Sequence, residues 1–210
     1  MTAPRAAVAD LSHYSWDKNP KLDFAAARAS GLNGVIYKAS EGATVTDATY
    51  AKSRALAEKA GLLWGAYHFG TKADAKTQAN AFLKAAAPSE NTLIALDFEP
   101  NGKNSMTAGG ALDFLHEVEK RLGRKPKLYT GSYMYQLFGK VPQTAFAPYA
   151  LWWARYAEAP EIHPTWSHYW LWQYTDGQSG PKPRNVPGLG FCDISTFDGT
   201  TQDLIVSWTT

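Results

Sequence analysis

The sequence predicts an α/β fold, an irregular TIM-like barrel formed by a single domain over residues 1–210. Two observations predict it. Eight short runs have the composition of β-strands, and helical periodicity separates the early runs, which is typical of βαβ units around a parallel sheet. The connections after the sixth and seventh runs contain five prolines and no helical pattern. We therefore expect the last strands to lack helical partners.

The predicted strands are short apolar runs, and most of them end at a polar residue. Eight such runs are the number that a closed α/β barrel requires. In chain order the predicted strands are Ala7–Leu11, Gly34–Lys38, Leu63–Phe69, Leu93–Phe98, Lys127–Thr130, Ala150–Arg155, Trp170–Tyr174 and Phe191–Ser195.

Three helices are predicted between the early strands. In the first, Asp47 would cap a helix that runs to Ala60. A capping box from Thr71 to Asp74 would begin the second, in which apolar residues from Ala75 to Ala86 follow 3.6-residue spacing. The third follows Thr107 and ends at Gly123, a typical residue for a helix stop.

Composition restricts the class of protein. The chain has 45% hydrophobic and 19% charged residues, which is ordinary for one globular domain of 210 residues. Its net charge of +2 gives no nucleic-acid signature. The single cysteine, Cys192, excludes an internal disulfide. Eight tryptophans favour a large aromatic core, although carbohydrate-binding grooves also use such rings.

The beginning of the chain carries no targeting signal. Met1–Arg5 are followed by a short apolar stretch, Ala6–Ala9, which is too brief for the core of a signal peptide or for a membrane span. We expect no export signal in this chain, no membrane association and a monomeric protein.

One strand ends in two acidic residues. The stretch LIALDFEP, Leu93–Pro100, begins as a buried strand and then places Asp97 and Glu99 two residues apart. Side chains alternate along a strand, so these two carboxylates point to the same face and Phe98 points to the other. Like charges on one face repel each other and resist burial, which indicates that the strand ends at an open cleft.

Polar residues recur at the ends of the other predicted strands. In α/β barrels the carboxyl ends of the strands form the active face, so recurrence there indicates chemistry. Crowding raises the pKa of at least one carboxylate, as a general acid near neutral pH requires. The residues of this set are Asp10, Lys38, Glu41, Tyr67, His68, Asp97, Glu99, Tyr129, either Arg155 or Tyr156, Gln173, Tyr174 and Asp193.

No cofactor or metal is expected. His68, with Asp10 and His13, would be the only candidate for a metal site, but the chain lacks paired histidines or cysteines at metal-binding spacing. A hydrogen-bonded structural histidine is the better interpretation of His68. The chain also lacks a phosphate-binding glycine loop and a nucleophile elbow.

An ordered series of motifs resembles glycoside hydrolase family 25, the Chalaropsis-type lysozymes that include many phage endolysins. The resemblance covers essentially the whole chain and implies a (β/α)5β3 barrel. Ser40 stands where the family's K-x-T-E-G motif usually has threonine. The motifs are VADLSHY, VIYKASEG, GAYHF, ALDFE, LYTG, LWWARY, LWQYTD and CDISTFDG.

The resemblance implies a function and residue roles. The family cleaves the β-1,4 bond between N-acetylmuramic acid and N-acetylglucosamine in peptidoglycan, with retention of configuration. By resemblance, Glu99 is the general acid/base, and Asp97, Asp10 and Asp193 are the other catalytic carboxylates. The expected partner is a bacterial glycan strand, so the protein would act on the cell wall, outside the cell or as a released endolysin. Substrate-binding roles are expected for Glu41, Lys38, Tyr67, Tyr129, Trp153, Gln173 and Tyr174.

Several alternatives remain open. The nucleophile would be either Asp10 or Asp193, or the 2-acetamido oxygen of the substrate oriented by Asp97, and we favour the second. Trp152 and Trp153 are adjacent, so one faces the barrel interior and the other faces the helices. For the whole protein, the alternatives are a chitinase-like or glucosaminidase barrel and a catalytically inactive wall-binding module.

Overall fold

Eight strands close into a barrel in the computed structural model, which describes residues 6–210. Met1–Arg5, on which part of the export-signal prediction rests, lie outside the described residues. The strands of the described part are β1 Ala7–Leu11, β2 Leu32–Glu41, β3 Val45–Thr46, β4 Leu63–Phe69, β5 Leu93–Asp97, β6 Lys127–Thr130, β7 Leu151–Ala154, β8 Leu171–Thr175, β9 Asn185–Val186, β10 Gly190–Phe191 and β11 Asp193–Thr196.

Helices cover the outside of the barrel and follow its last strand. Among the described residues, none is long and apolar enough to cross a lipid bilayer. The helices are α1 His13–Lys18, α2 Phe24–Ala29, α3 Tyr50–Lys59, α4 Ala75–Ala86, α5 Ala108–Leu122, α6 Ser132–Phe138 and α7 Thr201–Ser207.

The order of strands around the barrel is β1, β2, β4, β5, β6, β7, β8 and β11, and β11 returns to β1. Neighbouring strands from β1 to β8 are parallel. Within residues 6–210, helices occupy the five connections from β1 to β7 and are missing from the connections that precede β8 and β11. This arrangement confirms the predicted single-domain α/β barrel and its (β/α)5β3 pattern.

The last barrel strand runs in the opposite direction from the others. Strand β11 is antiparallel to both β8 and β1, and Asp193 lies opposite Asp10 in the register. The sequence prediction placed Asp193 at the end of its strand, but Asp193 is the first residue of β11. Because this strand is reversed, its beginning lies at the same barrel face as the carboxyl ends of the parallel strands.

Both boundaries of α5 agree with the prediction. The hydroxyl of Thr107 accepts a hydrogen bond from the Gly110 amide and begins α5, and Gly123 ends it at a φ of 67°. Glycine adopts this left-handed conformation without a steric penalty. Both boundary residues of this helix were predicted, and the prediction is confirmed.

The two other predicted caps are corrected. Asp74 caps α4 by accepting from the Thr77 amide, so the predicted box from Thr71 to Asp74 is wrong. Helix α3 has Thr49 at its N-cap, and Asp47 instead accepts hydrogen bonds from Thr49 and from the His13 amide. An aspartate side chain accepts hydrogen bonds from nearby backbone amides in turns as readily as at helix N-caps. The sequence alone therefore did not show which of these two roles each residue has.

Apolar side chains form two layers, one inside the barrel and one between the barrel and its helices. The inner layer contains Ile36, Leu93 and Trp152, and Trp208 after α7 joins it from the end opposite the active face. The outer layer contains Phe98 and other large aromatic side chains. The two layers follow from the alternation of side chains along each strand.

We expect Phe114→Ala to lower the free energy of unfolding by about 3–5 kcal/mol, because it opens a cavity in the outer layer. Phe114 is fully buried and its ring contacts those of Phe82 and His68 at centroid distances of 5.9 and 4.8 Å. Phe191, which is 72% exposed, provides the control, and Phe191→Ala should change stability by less than about 0.5 kcal/mol. Urea unfolding measures both variants, and equal losses would contradict this description of the core.

Candidate active site

Each barrel strand sends one side chain into the barrel mouth near the active face. On most strands the next inward position, two residues away, is apolar or small, so the interior changes from a packed core to a polar pocket within one pleat. On β6 this position is Lys127, whose Nζ lies 4.7 Å from the ring centroid of Trp170. These inward side chains are Asp10, Lys38, Tyr67, Asp97, Tyr129, Trp152, Gln173 and Asp193.

The pocket that they line has a volume of about 260 Å³, and Glu99 completes its wall. Glu99 lies beyond the end of β5, but the chain keeps its extended course there. The amide of Phe98 donates to the carbonyl of Tyr129 at 2.9 Å, and Thr130 Oγ1 donates to the carbonyl of Phe98 at 2.9 Å. Phe98 therefore packs outward, and Asp97 and Glu99 share the inner face as predicted.

Burial makes the carboxyl of Glu99 a proton donor near neutral pH. The pKa of Glu99 is raised from 4.5 to about 7, first by burial and then by the negative charge of Asp193. At this pKa, about half of the molecules carry a proton on Glu99 at pH 7. A general acid must hold a proton at the working pH and be able to release it, and a pKa near 7 allows both.

Asp97 is more deeply buried, with 7% of its surface exposed. Burial and then the charge of Glu99 raise its pKa well above the usual value, and Lys38 opposes this effect. Oδ1 of Asp97 is buried and has no hydrogen-bond partner among the described residues. Native proteins rarely leave a buried acceptor unpaired without a functional reason.

Asp10 and Asp193 face each other across β1 and β11. Burial is the first cause of the raised pKa of Asp10, followed by the charge of Asp193, whereas a hydrogen bond from Gln173 acts in the opposite direction. Burial also raises the pKa of Asp193 to about 6. The four carboxyls therefore hold protons at a pH where isolated carboxyls would have lost them.

Lys38 provides the positive charge of the pocket. Its Nζ lies 2.5 Å from Oε2 of Glu41 and 5.0 Å from the ring centroid of Phe69. Glu41 itself is not part of the pocket lining. We infer that Glu41 affects the site through Lys38, since its carboxylate holds the ammonium in place.

Ser40 and His68 lie on the outer side of the barrel wall and are fully buried. His68 Nδ1 is 2.9 Å from Ser40 Oγ, and Nε2 is 3.2 Å from Gln78 Oε1. Burial lowers the pKa of His68 to about 4, so the ring is neutral at pH 7. The prediction of a structural, hydrogen-bonded histidine is confirmed, and the serine that replaces threonine in the motif contacts this histidine.

Two of the predicted substrate-binding aromatic residues do not line the central pocket. Trp153 points outward and packs against Tyr135, so Trp152 is the inward member of the pair. Trp153 lines a neighbouring groove with Glu99 instead. Tyr174 also points outward, because it is adjacent to the inward Gln173 in β8, and its hydroxyl donates to the carbonyl of Pro183.

Several pocket residues were missing from the predicted set. Trp152 was one of two alternatives that the sequence left open. Tyr156 was predicted only as an alternative to Arg155, because it follows β7 in an irregular segment where no periodicity indicates the direction of a side chain, and it is Tyr156 that lines the pocket. Three others belong to the quoted motifs VADLSHY and GAYHF, which were the available signal; they are Ser12, Tyr14 and Phe69.

The arrangement resembles a glycosidase site more closely than a metal centre. Within residues 6–210, no group of three histidine, cysteine or acidic side chains could hold a metal ion. Clustered carboxyls with raised pKa values, aromatic walls and one lysine are instead suited to proton transfer at a neutral polymer.

Solved structures with this fold are glycan-cleaving enzymes by name. A family 25 lysozyme from Aspergillus fumigatus is 26% identical, with a TM-score of 0.81 over 99% of this chain and 100% of that one. A muramidase from Trichobolus zukalii is 29% identical, with a TM-score of 0.79 over 97% and 98% of the two chains. A bacterial lysozyme from Streptomyces coelicolor shares the fold at 22% identity, with a TM-score of 0.83 over 98% of both chains.

Sequence comparisons agree with the fold. The YegX protein of Escherichia coli K12 is 33% identical over an alignment of 183 positions, and the alignment covers 82% of this chain. The match spans 62% of the length of that curated relative. The sequence profile of glycosyl hydrolases family 25 matches residues 9–182. The chain therefore belongs to glycosyl hydrolases family 25.

Proposed function

We propose that this protein is a peptidoglycan hydrolase, an N-acetylmuramidase that cleaves the β-1,4 bond between N-acetylmuramic acid and N-acetylglucosamine with retention of configuration. The observation that carries the proposal is the pair Asp97 and Glu99. The partly buried carboxyl of Glu99 has a pKa of about 7, and beside it lies a buried oxygen of Asp97 that has no hydrogen-bond partner within residues 6–210. The lysozyme and muramidase names of the similar structures support the same substrate.

The first step needs a proton on Glu99 and a negative charge on Asp97. The charge of Glu99 is the largest electrostatic cause of the raised pKa of Asp97. When Glu99 holds the proton this repulsion disappears, and Lys38 then favours ionised Asp97. Glu99 gives its proton to the oxygen of the leaving sugar as the bond from that oxygen to C1 breaks.

The substrate's own 2-acetamido oxygen attacks C1 in this mechanism. Oδ1 of Asp97 accepts a hydrogen bond from the acetamido N–H. This bond orients the acetamido group, and the negative charge of Asp97 balances the positive charge that develops on it. A water molecule then attacks C1 from the opposite side and gives a proton to Glu99, while the bond between C1 and the acetamido oxygen breaks and the acetamido group is restored. Two successive inversions at C1 produce overall retention.

A nucleophilic role for Asp10 or Asp193 is less favourable. Burial raises the pKa of both carboxyls, to about 6 in Asp193, but it also raises the pKa of Asp97, so the hydrogen bonds of these groups separate them better than their protonation does. Both oxygens of Asp10 also accept hydrogen bonds from Gln173, at 2.9 and 3.0 Å. A carboxylate engaged in this way is a weaker nucleophile than a free one, whereas its charge still stabilises an oxocarbenium-like transition state.

Digestion of purified peptidoglycan followed by borohydride reduction tests the proposal. We expect reduced muramic acid in the products, and proton NMR during the digestion should detect the β-anomer of the new reducing end first. Reduced glucosamine would instead identify a glucosaminidase. Cleavage of chitin oligomers in preference to peptidoglycan would identify a chitinase-like enzyme. Binding to walls without new reducing ends would contradict catalysis and leave a wall-binding module.

A further inference from the structure

The side chain of Gln173 is held by three protein side chains. Gln173 is 1% exposed and lies on β8, and β11 separates this strand from β1, which carries Asp10. Its Nε2 donates to Oδ1 and Oδ2 of Asp10 at 2.9 and 3.0 Å. Its Oε1 accepts from the hydroxyls of Tyr129 and Tyr156 at 2.8 and 3.0 Å. The two oxygens of one carboxylate lie too close together for each to receive its own N–H, so one N–H of the amide is shared between them. The two phenols take both lone pairs of Oε1, so the buried amide keeps no acceptor for a sugar.

The partners also fix which way the amide points. A carboxylate accepts hydrogen bonds and does not donate, so Asp10 requires the NH2 end of the amide. The two phenol groups donate to the oxygen end. Turning the amide over would set its oxygen against the carboxylate of Asp10 and would remove both phenol hydrogen bonds. Three side chains from three segments thus determine one orientation of Gln173.

The carboxylate of Asp10 needs such support because its other close neighbours repel it. Asp193 and Glu99 both raise the pKa of Asp10 through their negative charges, while the Gln173 hydrogen bond favours the ionised form. Without a donor on β8, the carboxylate would turn away from Asp193 or take up a proton. Either change would alter the charge that Asp10 presents in the pocket.

We propose that Gln173 is a positioning residue, locked by Tyr129 and Tyr156, that holds the Asp10 carboxylate in its working orientation and does not bind the substrate. The proposal rests on the glycosidase function proposed above and replaces the substrate-binding role that the sequence predicted for Gln173. On this proposal Tyr129, Tyr156 and Gln173 act together, and one tyrosine can keep the amide in place when the other is altered.

The test separates turnover from binding. Gln173→Met has a similar length and removes all four hydrogen bonds. We expect kcat for release of reducing ends from soluble, uncrosslinked peptidoglycan chains to fall on the order of 10- to 100-fold, the range found when groups that orient functional ligands are lost. In the Glu99→Gln background, Gln173→Met should change the Kd of the same chains by less than about twofold, measured by calorimetry.

The tyrosines provide the second measurement. Tyr129→Phe and Tyr156→Phe should each lower kcat by a few-fold, and the double variant should approach the loss in Gln173→Met. Adding both tyrosine changes to Gln173→Met should cost little more, because residues that act as one unit are not additive. Circular dichroism would detect a failure of Gln173→Met to fold. In that case the double variant Tyr129→Phe/Tyr156→Phe tests the inference instead.

Three results would overturn the inference. A large rise in Kd with unchanged kcat would identify Gln173 as a substrate-binding residue. Unchanged kcat and Kd in Gln173→Met would show that Gln173 has no role in the reaction. Strictly multiplicative losses of kcat for Gln173→Met, Tyr129→Phe and Tyr156→Phe would show that the three residues act independently. In the last two cases the wild-type enzyme still releases reducing ends, so the proposed function survives. A wild-type protein that releases none would end both proposals.

Discussion

Glu99→Gln should lower kcat for release of reducing ends from peptidoglycan by about 10²–10⁴-fold, the usual contribution of a general acid. The amide has nearly the shape of the carboxyl but carries no proton that can be transferred to the leaving oxygen. Substrate affinity should stay within a few-fold, because the pocket keeps its form. Glu90→Gln makes the same chemical change at an exposed position and should keep full activity. Substantial lysis by Glu99→Gln would contradict the assignment.

The same variant should be more stable than the wild type at alkaline pH. The pKa of Glu99 is 4.5 in an unfolded chain and about 7 in the folded protein, so between these values the folded state binds more protons. Stability therefore falls as the pH rises through this window, by up to about 3 kcal/mol for this group. Glu99→Gln removes that loss, so the melting temperature should rise at pH 8 and change little at pH 4.

This combination distinguishes a catalytic effect from misfolding. A misfolded variant would lose activity and stability together, whereas the loss of a strained general acid lowers activity and raises stability. Glu90→Gln should leave the melting temperature unchanged at both pH values. A lower melting temperature for Glu99→Gln at pH 8 would mean that its carboxylate is stabilised in the fold, contrary to the raised pKa.

The carboxylate pair was predictable because alternation along a strand is a strict geometric rule. Asp97 and Glu99 are two residues apart, and so they share a face wherever the strand lies. The same rule relates Asp10 to Val8 and Gln173 to Leu171, which point into the barrel together. The parallel part of the barrel was predictable from the helical patterns between the early strands.

Alternation does not reveal which of the two faces is the inner one. Trp152 and Trp153 are both apolar and both buried, so only the completed barrel identifies Trp152 as the inward residue. Strand direction was equally hidden for β11, because a connection without a helix is compatible with either direction. Tyr156 lies in an irregular segment, and its contact with Gln173, 17 residues further along the chain, depends on the course of the helix-free connection before β8.

The second large effect is expected at Asp97. Asp97→Asn should lower kcat on N-acetylated peptidoglycan by about 10²–10³-fold, comparable to the loss of one group that stabilises developing charge. The asparagine amide is nearly isosteric, but it cannot balance the positive charge that develops on the acetamido group. Asp113→Asn, at an exposed position on α5, is the matched control and should retain full activity.

The chemistry of the substrate provides the decisive comparison for Asp97. If the acetamido oxygen is the nucleophile, N-deacetylated glycan lacks the attacking group, so the wild-type enzyme should cut it poorly. Asp97→Asn should then cause little further loss on that substrate, because the group that Asp97 orients is already missing. If instead Asp10 or Asp193 attacks C1, a 2-fluoro glycoside should trap a covalent adduct on that residue, which mass spectrometry would detect. Such an adduct, with deacetylated glycan cut at the normal rate, would overturn substrate assistance and leave Glu99 as the acid of a two-carboxylate mechanism.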